Sequence, residues 1–267
     1  MLYVGADPEL FVRNGESFLS GHLFPCGTKT APRKTPHGAV QVDGIALEFN
    51  VIPSATSKDF IANLKNVLFD LNKIVDECVP GSRLVAIPTA EVGEEFLKTV
   101  PAENKALGCN PDYNAYSLEA NPVPNAELPF RTGSGHVHVG FCEPDEELLY
   151  DFDHFERCAQ LSRQMDFLLG LPSLNWDGDT KRRELYGKAG AFRPKPYGME
   201  YRVLSNAWVE SENLAGFVFN QTVKAQTLLE EGLDLFEVYG EYAKNCINTG
   251  QTEWMTARPD VAEIVLG

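Results

Sequence analysis

The sequence predicts an α+β fold built on antiparallel strands that are covered on one face only. Two observations predict it. Short strand-like runs and three long amphipathic stretches follow one another in an order unlike a regular βαβ series. Each strand-like run also splits into an apolar column and a polar one, the pattern of a sheet packed on one side.

The helices are read from apolar spacing. Residues 57–78 place Phe60, Ile61, Leu64, Val67, Leu68, Leu71, Ile74, Val75 and Cys78 at intervals of three and four, a stripe that buries one face. Residues 145–169 repeat this with Leu148, Leu149, Phe152, Phe155, Ala159, Met165 and Leu169. Residues 212–231 form the third, with Ser211 as N-cap and Gly232 as the stop. A short last helix over 259–265 starts on Pro259. The turn-rich stretches 20–39 and 172–199 read as exposed loops, and the second concentrates cations.

Bulk properties set outer limits. The 267 residues, 43% hydrophobic, suffice for a large core, and residues 1–267 are expected to form one domain. A net charge of −15 disfavours non-specific binding to nucleic acid or anionic lipid. No apolar run approaches the roughly 20 residues of a membrane helix, and MLYVGADPEL lacks the order of a signal peptide, so a cytoplasmic location is expected. Cys26, Cys78, Cys109, Cys142, Cys158 and Cys246 have no paired spacing and are read as reduced.

Four strands point to chemistry. In 3–13, Asp7 and Glu9 share a column opposite Ala6, Leu10 and Val12; in 43–51, Glu48 and Asn50 oppose Ile45, Leu47, Phe49 and Val51. In 134–141, His136 and His138 oppose Val137, Val139 and Phe141; in 199–206, Glu200, Arg202, Leu204 and Asn206 alternate with Tyr201 and Val203. A plain wet face would carry Thr, Lys and Ser. Several carboxylates on one concave face repel by about 3 kcal/mol per pair at ~5 Å and an effective dielectric of ~20, so they take up protons or bind cations. Carboxylates with an imidazole suit Mg²⁺ or Mn²⁺, and Mg²⁺ brings substrate phosphates into its shell. Arg202 on the same face, with Arg131, Lys188, Arg193 and Lys195 in adjacent loops, supplies phosphate clamps. Neither a Walker loop nor a Rossmann fingerprint occurs.

GADPEL (5–10), DGIALEFN (43–50), GSGHVHVG (133–140) and ELYGKAGAFRPKPYGMEYRVLSN (184–206) resemble the type 2 carboxylate-amine ligases carried by phages, a branch of the glutamine synthetase and glutamate-cysteine ligase superfamily. The resemblance implies a curved antiparallel sheet with helices on its outer side, holding Mg²⁺ and ATP on the concave side. It implies Asp7, Glu9, Glu48, Glu200 and His138 as metal ligands, and Arg202, His138 and Glu200 as catalytic. Arg202, Lys188, Arg193, Arg131 and His136 are its nucleotide contacts. The expected reaction joins a small-molecule or peptide carboxylate to an amine through an acyl phosphate, releasing ADP, in the host cytoplasm if phage-encoded. Asp43 or Glu119 would deprotonate the amine. The competing readings are a Mg-nucleotide-binding or virion protein without turnover, a metal hydrolase using His-x-His, and a guanidino-group enzyme using Cys246.

Overall fold

A computed structural model describes residues 2–105, 112–122, 128–143, 147–148 and 152–267, the side chains of residues 152 and 184 excepted. Strand β1 (Tyr3–Asn14) is the spine of a mixed structure of helices and one large, open antiparallel sheet. After it come β2 (Ser17–Leu19), β3 (Gly27–Thr28), β4 (Ala31–Thr35), β5 (Gly38–Asp43), β6 (Ala46–Val51), β7 (Ser82–Val85) and β8 (Thr89–Glu91). The remaining described strands are β9 (Tyr113–Asn114), β10 (Phe130–Thr132), β11 (Gly135–Gly140), β12 (Ala191–Lys195) and β13 (Gly198–Tyr201). The sheet order is β3-β4-β5-β6-β1-β11-β13-β12-β9, with β2 and β7 also on β1, while β8 and β10 pair separately.

Apolar columns turn toward the helices. Val4, Ala6, Leu10 and Val12 of β1, Leu47, Phe49 and Val51 of β6, Val137 and Val139 of β11, and Met199 and Tyr201 of β13 all join one buried cluster. Helix Ser57–Cys78 buries Phe60, Leu64, Val67, Leu71, Ile74 and Val75 in it, each worth roughly 1.5–3 kcal/mol relative to exposure. Thr56 caps that helix by accepting from the Asp59 N–H. Helix Glu212–Glu230 packs beside it, capped by Ser211 as expected and stopped at Gly232, whose φ of +86° an L side chain resists. Pro259 opens the helix Pro259–Leu266.

Several expectations are corrected. Ile45 leaves the main core, because the turn at Gly44 precedes β6; it packs instead with Phe11, Ala46, Ala90 and Val100. The helix expected from residue 145 is helical over Phe152–Met165 and continues as a π-turn, Asp166–Gly170. Leu148 is not helical, and Leu149 and Cys109 lie outside the described residues. The stretch 20–39 contains β3, β4 and the start of β5, because strands near a sheet edge accept the Pro and Lys that mark loops. The stretch 172–199 contains the helix Thr180–Leu185 and β12, and its Arg182 and Arg183 are buried. The fourth polar run ends as a strand at Tyr201, which puts Leu204 in the core. No described helix is long and apolar enough to cross a membrane.

Candidate active-site cleft

Register converts four separate sequence columns into one surface. Glu9 of β1 pairs with Glu48 of β6, which pairs with Gln41 of β5. On the other side Asp7 pairs with His136, and His138 with Glu200, which in turn pairs with Arg193 of β12. Side chains two apart point the same way, so these residues all face away from the helices. They line a cleft of about 680 Å³ with Lys29, Asp43, Asn50, Arg131, Tyr186, Lys195, Tyr197 and Arg202.

One end of the cleft is acidic. Glu9, Asp43 and Glu48 offer carboxylate oxygens within 4.8 Å of one another. Lys29, from the turn between β3 and β4, pairs with Asp43 at 2.8 Å; Gln41 donates to Glu48 at 2.8 Å; and the Ser134 N–H donates to Glu9 at 3.0 Å. Burial, then the charge of Asp43, pushes Glu9 up to about 7. Burial and the nearby Asp7 and Asp43 push Glu48 well above the usual carboxylate range. This cluster is short of positive charge.

The middle of the cleft joins acid to imidazole. Asp7, His136 and Glu200 form a second group with ligand atoms within 4.8 Å. His136 Nδ1 lies 3.4 Å from Asp7 Oδ1 and 3.3 Å from Glu200 Oε1. Burial and the Arg202 charge bring His136 down to about 4, leaving the neutral ring that ligates metals. Burial opposes ionisation of Asp7, yet the neighbouring His138 holds its carboxyl below the usual range. His136 Nε2 is buried without a hydrogen-bond partner, as a nitrogen that ligates a cation would be. His138 Nε2 sits 3.0 Å from Asp7 Oδ2, and its Nδ1 contacts the Tyr197 hydroxyl.

The far end is cationic. Glu200, buried on β13, is engaged by Lys195 at 2.7 Å, Arg193 at 3.2 Å, and Arg202. Burial would raise its carboxyl, but Arg202, His136, His138 and Lys195 hold it well below the usual range. Arg202 also donates from Nε to Asp112 at 3.2 Å, so both of its flanks are fixed. Arg182 holds the chain that follows, donating at 2.8 Å to both the Val203 and Leu204 carbonyls.

The structure therefore gathers Asp7, Glu9, Glu48, His136, His138, Arg131, Arg193, Glu200 and Arg202 in one cleft. The acids fall into two adjoining groups; His136 shares ligand distance with Asp7 and Glu200, and His138 Nε2 lies 3.0 Å from Asp7. Lys188 is exposed and outside the cleft lining, since it precedes β12 in a turn; Glu119 is likewise exposed and outside it. Arg193 and Lys195 lie on a strand rather than in a loop. Arg131 donates to the carbonyls of Leu128, Phe130 and Lys105.

Asp43 belongs with the acids, a placement signalled by the Gln41-x-Asp43 alternation in β5. Lys29, Tyr197 and Asp112 had no sequence signal, because only the folded sheet brings them near. Of the rival readings, His22, His37, His154 and Cys246 are all absent from the cleft lining. Among the described residues, the cleft lining holds two imidazoles and no thiol, and Cys142 lines the adjoining cavity with His138.

Residues 120–231 match the model of the family described as phage phiEco32-like COOH.NH2 ligase-type 2. The matched segment contains β11, β12 and β13, and with them both histidines, Glu200 and Arg202. By its name, that family joins a carboxyl group to an amino group. Asp7, Glu9 and Glu48 lie ahead of the matched segment. No curated protein matches the chain.

Proposed function

From the premise of that family match, we propose that the chain is an ATP-dependent carboxylate-amine ligase with a catalytic fold like that of glutamine synthetase, acting as one domain. The observation that carries the reading is the polarity of the cleft: Glu9, Asp43 and Glu48 gather at one end, three cations converge on Glu200 at the other, and Asp7 with His136 lies between.

The donors fit Mg²⁺ or Mn²⁺. Glu9, Asp43 and Glu48 would hold one ion, and Asp7 with His136 and Glu200 another; all but one of the donors are oxygens, which suits hard cations. Bound there, such ions neutralise phosphate charge and act as Lewis acids. The volume of about 680 Å³ accommodates a nucleotide beside a small substrate.

The chain's own groups then have defined work. Arg202, Arg193 and Lys195 face the γ-phosphate as it passes to the substrate carboxylate, and their fixed charges meet the negative charge spread over the phosphoryl oxygens. A carboxylate oxygen forms the new bond to phosphorus as the bond to ADP breaks. The amine nitrogen then attacks the acyl carbon, phosphate leaves, and the amine proton passes to solvent or to a nearby base. Glu200 holds the three cations in place, and Asp112 fixes the second flank of Arg202.

The test is incubation with Mg-ATP and mixtures of carboxylic acids and amines, following ADP, phosphate and a product one water lighter than acid plus amine. AMP in place of ADP, or water as the only acceptor, would sink the acyl-phosphate route. Nucleotide binding without turnover would favour a non-catalytic Mg-nucleotide-binding or virion protein.

A further inference from the structure

A second cavity of about 280 Å³ opens beside the cleft on the same face of the sheet. Asn50, His138 and Tyr197 line both, so the two spaces adjoin at the histidine wall. The floor of this cavity is nearly bare backbone. The cleft-facing column of β1 runs Gly5, Asp7, Glu9, and that of β11 runs His136, His138, Gly140, with Gly5 set opposite His138 by register. Gly5 is not required by its backbone: its φ is not left-handed. A Cβ there would meet His138 Cβ at 3.5 Å and Pro53 Cγ at 3.7 Å, ordinary contact distances. What the missing side chain leaves is room. Tyr3, Pro53 and Cys142 form walls, the Tyr3 hydroxyl donating to Glu143 at 2.6 Å, and no Asp, Glu, Lys or Arg is among the described lining residues.

We propose that this cavity receives the uncharged side group of the amine substrate, an inference that rests on the ligase reading. The acid substrate must place its carboxylate by Arg193, Lys195 and Arg202, at the other side of His138. A lining without an ionised side chain suits an uncharged side group, whose burial there is favourable where a charged one would lose its hydration. A space of about 280 Å³ accepts a side chain of the valine-to-phenylalanine range, with the nitrogen directed past His138 and Tyr197 into the main cleft.

The test is titration calorimetry of the full chain with Mg²⁺ and ADP, using glycinamide, valinamide, leucinamide and phenylalaninamide as probes. At least one branched or aromatic amide binds about ten-fold more tightly than glycinamide. In Gly5→Val that advantage disappears while Mn²⁺ affinity is unchanged, and Gly5→Ala, which adds only a tolerated methyl, reduces it. Equal binding of all four amides, or a preference that survives Gly5→Val, overturns the proposal. Amide selectivity that persists while no acid and amine pair releases ADP leaves the cavity assignment standing and removes the ligase reading instead.

Discussion

Glu9 stands directly across the β1–β6 ladder from Glu48, with Asp43 close to both. Facing like charges destabilise a sheet unless protons or a cation intervene. Lys29 provides one positive charge against three carboxylates, and burial, followed by the neighbouring carboxylates, raises the pKa values of Glu9 and Glu48.

Stability without metal should therefore fall with rising pH. Glu9 has a folded pKa of about 7 against an ordinary 4.5, so its contribution is complete below 4.5 and lost as pH climbs through 7. Thermal melts without divalent ions are expected to show a lower Tm at pH 8 than at pH 6. Mn²⁺ should close that gap, because the ion binds the deprotonated acids. A metal-induced Tm rise as large at pH 5.5 as at pH 8 would remove the acids from the metal site.

Glu48→Gln keeps the shape and the contact with Gln41 but deletes one negative charge. At pH 8 without metal the variant is expected to melt higher by about 3 °C or more, corresponding to roughly 1 kcal/mol. Its response to Mn²⁺ should shrink, and ADP formation should fall with it. Calorimetric titration with Mn²⁺ reads the first loss and an ADP assay the second.

Arg202→Lys retains charge but not the fork that spans Glu200 and Asp112. A fall in kcat of about 100-fold, with much less change in KM for ATP, is expected for a group acting on charge that develops during transfer. Equal losses of nucleotide binding and turnover would make Arg202 a binding residue alone.

Two neighbouring lysines should behave in opposite ways. Lys195 reaches Glu200 inside the cleft, whereas Lys188 is exposed outside it. Lys195→Ala is expected to lower kcat/KM by about ten-fold or more, and Lys188→Ala to leave it within about two-fold. Steady-state kinetics of the pair decide between strand and loop as the source of phosphate contacts.

Arg182 is fully buried, and its guanidinium serves the Val203 and Leu204 carbonyls just after Arg202. Arg182→Met leaves both acceptors without that donor, and a loss of about 3 kcal/mol in unfolding free energy is expected. Urea denaturation measures it. A change below about 0.5 kcal/mol would mean that other groups carry this segment.

The sequence by itself determined the first and third long helices and the middle of the second, the two faces of β1, β6, β11 and β13, and nearly all the acids and imidazoles of the cleft. Periodicity is a local property: Asp7 and Glu9 share a face because strand side chains alternate, whatever the strand pairs with. Only the tertiary structure decided which residues meet. Strand order and register are long-range choices, and they set Glu9 against Glu48 and His138 against Glu200. They also divided the acids into two groups, set both His136 and His138 against Asp7, and drew Lys29, Asp112 and Tyr197 from turns and loops with no periodic signal. Lys188 shows the same limit from the other side, since a cation near a site in sequence stays outside it when its own side chain faces solvent.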